Sequence, residues 1–160
     1  MVAGWPQNWF AWRHLMLPLA RRFSVVAADP RGVNLSDRAA GGYDAGNLAA
    51  DLVALMEALG HLRFAVVGHD LGMWMGYALA ADYPERLARL AVAEATIPGI
   101  SPFSPLWGPS HVNDMTWHFG FNRLTDLNQA LVRGRKDIFD RTAAQNVRRR
   151  ERRMRHLRAC

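Results

Sequence analysis

The sequence predicts an α/β fold, a mostly parallel sheet covered by helices. Two observations predict it. Short apolar runs with β-branched centres alternate with longer segments whose apolar residues recur every three or four positions. Each run reaches the next through a helical segment, the connection that parallel strands need and hairpins do not.

Residues 8–22 read as a helix, with Pro18 inside it to kink or shorten it. Ser24 to Ala28 lies between the charged helix end Arg21-Arg22 and Asp29-Pro30-Arg31-Gly32, and reads as a buried strand. Residues 44–59 form an amphipathic helix with Leu48, Leu52, Leu55, Met56 and Leu59 on one side, ended by Gly60. Phe64 to Gly68 is a second buried strand, and a helix over 71–82 comes next without a long loop. Pro84 lies just past its end, and Leu87 to Ala95 is a third strand. After Thr96 the composition changes: Pro98, Gly99, Pro102, Pro105, Gly108 and Pro109 mark a linker or loop. Helical segments at about 111–121 and 125–135 come after it, with no strand signal. The chain therefore divides into a core over 1–97, a helical region over 98–140 and an arginine-dominated tail over 141–160 of uncertain status.

Composition bounds the function. Half of the 160 residues are apolar, enough for a packed core and against disorder. Six Trp and seven Phe suggest an aromatic-lined interior or pocket. Cys160 is the single cysteine, which excludes an internal disulfide and a cysteine-based zinc site, and fits a reducing compartment. No signal peptide or apolar run of membrane-spanning length is visible, so a cytoplasmic location is expected. Neither a metal nor a cofactor is expected, and the oligomeric state stays open. The net charge of +6 belongs to the tail, since 141–160 holds eight arginines against Glu151. Nucleic acid and membranes are therefore not expected partners of the domain, although a basic helix at 141–160 could bind either.

The chemistry centres on Gly68-His69-Asp70-Leu71-Gly72, where a buried strand passes directly into a helix. This is the small-x-nucleophile-x-small pattern of a nucleophile elbow, whose tight turn leaves no room for side chains at its flanks. The turn sets Asp70 at a helix N-terminus, where backbone N–H groups favour negative charge. The plainer reading is a Gly-rich turn with an Asp N-cap, which the strand–elbow–helix order makes the weaker one. An elbow presents only its central residue, so His69 reads as structural.

The chain resembles the epoxide hydrolase and haloalkane dehalogenase branch of the α/β-hydrolase fold over about residues 3–138. Beside the elbow, Gly4-Trp5-Pro6 resembles the family's oxyanion loop, and Asp29 to Asp37 resembles its Asp-x-Arg-Gly-x-Gly-x-Ser segment. Asn34 replaces the second glycine there, and Asn best tolerates a left-handed conformation after Gly. Trp117-His118-Phe119 resembles the start of the family's cap, so the resemblance implies a truncated α/β-hydrolase fold with the start of a helical cap.

The resemblance also implies a mechanism and the residues that carry it. An Asp nucleophile attacks saturated carbon and leaves an alkyl-enzyme ester, which a histidine-activated water then hydrolyses. By the same resemblance, the N–H groups of Trp5 and Leu71 form the oxyanion hole. Glu94, at the end of the third strand, is either the acid that orients the histidine or a structural hydrogen-bonding residue. Trp74, Trp117 and His118 are pocket candidates, His118 being as readily packing or surface. Haloacetate dehalogenases carry arginines where this chain has Leu71 and Trp74, so an anionic substrate is not expected. Haloalkane dehalogenases commonly carry a Trp after the nucleophile and an Asn in the oxyanion loop, where this chain has Leu71 and Trp5. A small apolar substrate such as an epoxide fits better, with a haloalkane as the alternative. The cap tyrosines that epoxide hydrolases use are not matched, since Tyr43, Tyr77 and Tyr83 all come earlier.

The family's catalytic histidine comes late, after the cap and two further strands. None of His14, His61, His69, His111, His118 and His156 comes after such a strand, so turnover is expected to be incomplete. Met1-Val2-Ala3 matches only the end of a central strand between 24–28 and 64–68, leaving both to expose unpaired backbone. A non-catalytic remnant with a basic binding tail is the remaining alternative.

Overall fold

The computed structural model describes residues 1–97, 99–102, 109–139 and 141. Two compact units divide the chain, Met1–Ser101 and Pro102–Cys160.

In the first unit, the Asn8 side chain accepts a hydrogen bond from the Phe10 N–H at 3.0 Å and opens a 3-10 turn, Trp9–Trp12. This turn runs into helix α1, Arg13–Ala20, which contains Pro18. The predicted helix over 8–22 is thus a 3-10 turn and a short α-helix. Helix α2 spans Ala45–Ala58. Asp44 caps it by accepting from the Asn47 N–H at 3.0 Å, and Gly60, at φ 81°, closes it.

Strand β1, Phe64–His69, leads through Asp70 into helix α3, Leu71–Asp82. A 3-10 turn at Pro84–Arg86 then starts strand β2, Leu87–Ala93. The two strands are parallel, with Val66 opposite Leu90 and His69 opposite Ala93. Ala49, Leu52 and Val53 of α2, Val66 of β1, and Met75, Ala78 and Leu79 of α3 bury together with Val2. Val66 and Gly68 face α3, while Val67 and His69 alternate onto the other side of the sheet.

Two expectations are corrected in detail. The buried strand expected over 24–28 is a single parallel bridge, Val2 to Ala28, and residues 25–28 are only half-buried. A ladder needs a partner of matching length, and here the partner is Val2 with its neighbours. The Met1 amino group donates to the Val26 carbonyl at 2.6 Å and the Ala28 N–H to the Met1 carbonyl at 3.0 Å. Val2 also bridges Gly68, so it lies between these segments as the sequence predicts. The third strand ends at Ala93 rather than Ala95, because Glu94 turns the chain at φ 66°.

The second unit carries helix α4, Ser110–Asn122, and helix α5, Thr125–Val132. Trp117, Phe121 and Phe139 form an aromatic cluster with ring centroids 5.4–5.8 Å apart. The basic tail, from 142 on, lies outside the described residues. Among the described residues no helix is long and apolar enough to cross a membrane, and no cluster of three metal-ligating side chains occurs.

Candidate active site

The elbow is built from two glycines and one strained residue. Asp70 sits between β1 and α3 at φ 55° and ψ −114°, backbone angles that an L-residue holds only when its surroundings impose them. A Cβ at Gly68 would lie 2.1 Å from the Gly72 carbonyl oxygen, and one at Gly72 2.3 Å from the Val2 carbonyl oxygen. Both clashes are with backbone and cannot be relieved by a rotamer change. The small residues on either side of Asp70 are what let the strand, the helix and Val2 approach.

Asp70 does not cap α3 with its side chain. Its Oδ1 instead accepts the Trp5 N–H at 2.9 Å. Gly4 permits this approach, since a Cβ there would fall 2.1 Å from the Asp70 Cβ. Leu71 opens α3, so its N–H is one of the helix's first and has no acceptor within the helix. The structure therefore brings Trp5, Asp70 and Leu71 together.

The chain just after the Gly4-Trp5-Pro6 turn is tied to the segment from Asp29 to Asp37. Asp29 Oδ1 accepts the Trp9 N–H at 2.6 Å, and Oδ2 accepts from Asn34 Nδ2 at 2.9 Å. Ser36 Oγ donates to the Asp29 carbonyl at 2.8 Å. Asn34 has φ 51°, the left-handed conformation expected of it, and Gly32 has φ 77°. Arg31 forks onto Asp51 of α2 at 2.5 and 2.6 Å, an ion pair that holds the guanidinium above its usual pKa.

Glu94 comes directly after β2. Its Oε2 lies 3.3 Å from His69 Nε2, and the Ala93 carbonyl accepts the Asp70 N–H at 3.1 Å. Sequence reasoning missed this pairing of His69 with Glu94. The signal was present in the register, because parallel β1 and β2 end side by side. Trp74 Nε1 donates to the Thr96 carbonyl at 2.8 Å, so this indole is bound to the segment after β2. On the sheet face opposite α3, a cleft of about 390 Å³ is lined by Trp12, Val67, His69, Ala91 and Ala93, with Gln7 at its rim. Trp117 and His118 belong to the second unit. There Trp117 packs in the aromatic cluster, and the His118 ring lies 4.4 Å from that of Phe119.

This arrangement holds a carboxylate at a helix N-terminus with one oxygen fixed by a backbone N–H. Known proteins resemble the chain. The family model described as alpha/beta hydrolase fold matches residues 1–154. A soluble epoxide hydrolase from Corynebacterium sp. (strain C12) is 35% identical over 100 residues, which is 62% of this chain and 35% of that protein. A fluoroacetate dehalogenase from Burkholderia sp. is 37% identical over 99 residues, 59% of this chain and 33% of that protein. The crystal structure of wild-type Cfl2 from Burkholderia cenocepacia superposes with a TM-score of 0.79 at 40% identity, covering 86% of this chain and 47% of that one. The chain thus spans about a third of the length of these two curated relatives and about half of that solved structure. With its elbow, its parallel strands and these relatives, the chain belongs to the α/β-hydrolase fold family.

Proposed function

We propose that Asp70 opens a small apolar epoxide and forms a hydroxyalkyl ester on the enzyme. One carboxylate oxygen bonds to a ring carbon, that carbon's bond to the epoxide oxygen breaks, and the released alkoxide takes a proton from solvent. The observation that carries this reading is the Trp5 N–H on Asp70 Oδ1 at 2.9 Å, at a residue held at φ 55°. Trp5 and Leu71 supply the N–H groups that hold the ester oxygen. Glu94 is the acid that orients a histidine base, and Trp74 contributes to the substrate pocket. The helices α4 and α5 are assigned as the cap. No metal or cofactor takes part in this step.

Within residues 1–101 the histidine beside the elbow, His69, turns to Glu94, while His14 and His61 are exposed. The ester is therefore expected to persist. Incubation with a small apolar epoxide should add the mass of the epoxide to the peptide carrying Asp70, and Asp70→Asn should abolish the adduct. Asn is chosen because it tolerates the left-handed backbone. An unmodified wild-type chain after prolonged incubation would overturn the proposal.

The fluoroacetate dehalogenase relative favours a second reading, in which the same carboxylate displaces halide. An anionic haloacetate needs a cationic clamp beside the nucleophile, and Leu71 and Trp74 offer none. Ester formation with an epoxide, a neutral haloalkane and a haloacetate, compared side by side, decides between them. The epoxide is expected to react fastest and the haloacetate slowest.

A further inference from the structure

We propose that His69 and Trp74 are positioning residues, which clasp the end of β2 against the elbow and so keep Asp70 in its attacking conformation. The proposal rests on Asp70 being the nucleophile, but its main observable is the conformation of the elbow itself.

Three contacts meet the four residues 93–96. The Asp70 N–H donates to the Ala93 carbonyl at 3.1 Å. His69 Nε2 lies 3.3 Å from Glu94 Oε2. Trp74 Nε1 donates to the Thr96 carbonyl at 2.8 Å. The donors and the imidazole all come from within four positions of Asp70. They reach the segment because β1 and β2 run parallel with His69 opposite Ala93, and because Glu94 turns back at φ 66°.

The elbow needs this help. Asp70 lies outside the ordinary backbone regions at φ 55° and ψ −114°. It gives α3 no side-chain cap, since its carboxylate goes to Trp5. Residues 93–96 hold the acceptor that the Asp70 N–H meets, so their placement decides whether the strained turn persists. The same bond between His69 and Glu94 fixes where the Glu94 carboxylate sits. Loosening the clasp lets Asp70 relax away from the attacking geometry, which lowers the rate of attack.

The test uses the full chain and three variants: Trp74→Phe, which keeps an aromatic ring and deletes the N–H; His69→Ala; and His69→Gln, which restores a donor. Amide hydrogen exchange at Asp70 is followed by NMR, and ester formation with a small apolar epoxide by mass spectrometry. Trp74→Phe and His69→Ala should each speed exchange at Asp70 by about three- to tenfold, the factor that one net hydrogen bond is worth. The maximal rate of ester formation should fall by a similar factor in both, in His69→Ala at an unchanged half-saturating concentration, and His69→Gln should recover most of the loss in exchange protection and in rate. Unchanged exchange at Asp70, or acceleration spread evenly over residues 1–101, overturns the proposal. So does a His69→Gln variant that behaves like His69→Ala. Faster exchange at Asp70 in a chain whose wild type forms no ester upholds the clasp and rejects Asp70 as nucleophile.

Discussion

Residue 4 lies against Asp70: a side chain there would put its Cβ 2.1 Å from the Asp70 Cβ and 2.4 Å from Oδ1. No rotamer escapes a Cβ clash, so Gly4→Ala must push the Trp5 N–H off the carboxylate or push Asp70 out of its turn. Overpacking of this kind costs about 1–3 kcal/mol. At this site it is expected to slow ester formation by about tenfold or more, since about 1.4 kcal/mol is tenfold in rate. Gly41→Ala is the control, because a Cβ there meets nothing within 4 Å. Equal rates of adduct formation in the two variants would show that the Gly4 approach is not needed. The residues of the elbow were legible in the sequence because their constraint is local: Gly68, Asp70 and Gly72 announce a tight turn. The His69–Glu94 contact was not, because it joins residues 25 apart and exists only once the strand register is set.

At the scale of elements, α2 shows how a local pattern and a cap suffice. Its extent was readable, since the helix runs from Ala45 to Ala58 as the spacing predicts, but of the predicted stripe Leu52 is buried, with Ala49 and Val53 beside it, while Leu55 and Leu59 are exposed. Hydrogen bonds from the Asn47 backbone N–H and then from its side chain hold the Asp44 carboxyl below its ordinary pKa. A carboxyl with a depressed folded value stabilises the native state above its unfolded value and loses that contribution as pH falls through the folded one. Asp44→Ala should therefore be less stable than wild type at neutral pH, and the difference should shrink as pH falls below about 4, near the ordinary Asp value. Urea titrations of both proteins across that range check the sign. A gap that is constant with pH would remove the ionised cap from the account. The segment at 24–28 teaches the opposite lesson. Its composition is that of a strand, but strand formation is decided by the neighbour, and Val2 supplies a single bridge.

For the whole molecule, β2 is the informative element. Six of its seven residues are exposed, including Leu90 and Val92 at 37% and 41%. Phe10, Leu17 and Phe23 in the first unit are exposed as well. An apolar strand whose outer edge pairs with no other strand among the described residues is a template for pairing with other chains. The protein is therefore expected to associate as its concentration rises and to bind a hydrophobic dye in its native buffer. Sedimentation across a dilution series checks the first expectation. A monodisperse monomer with a cooperative unfolding transition well above room temperature would contradict both. Only arrangement in space shows this surface, since the run from Leu87 to Ala93 reads from its sequence as an interior strand.

The hydrogen bond from Trp5 to Asp70 has a last consequence. It makes the two carboxylate oxygens chemically inequivalent. In the proposed reaction the oxygen held at 2.9 Å becomes the ester carbonyl, and Oδ2 becomes the bridging atom. In that reaction a single backbone N–H, that of Trp5, selects which oxygen forms the bond within a group whose oxygens are equivalent in free solution.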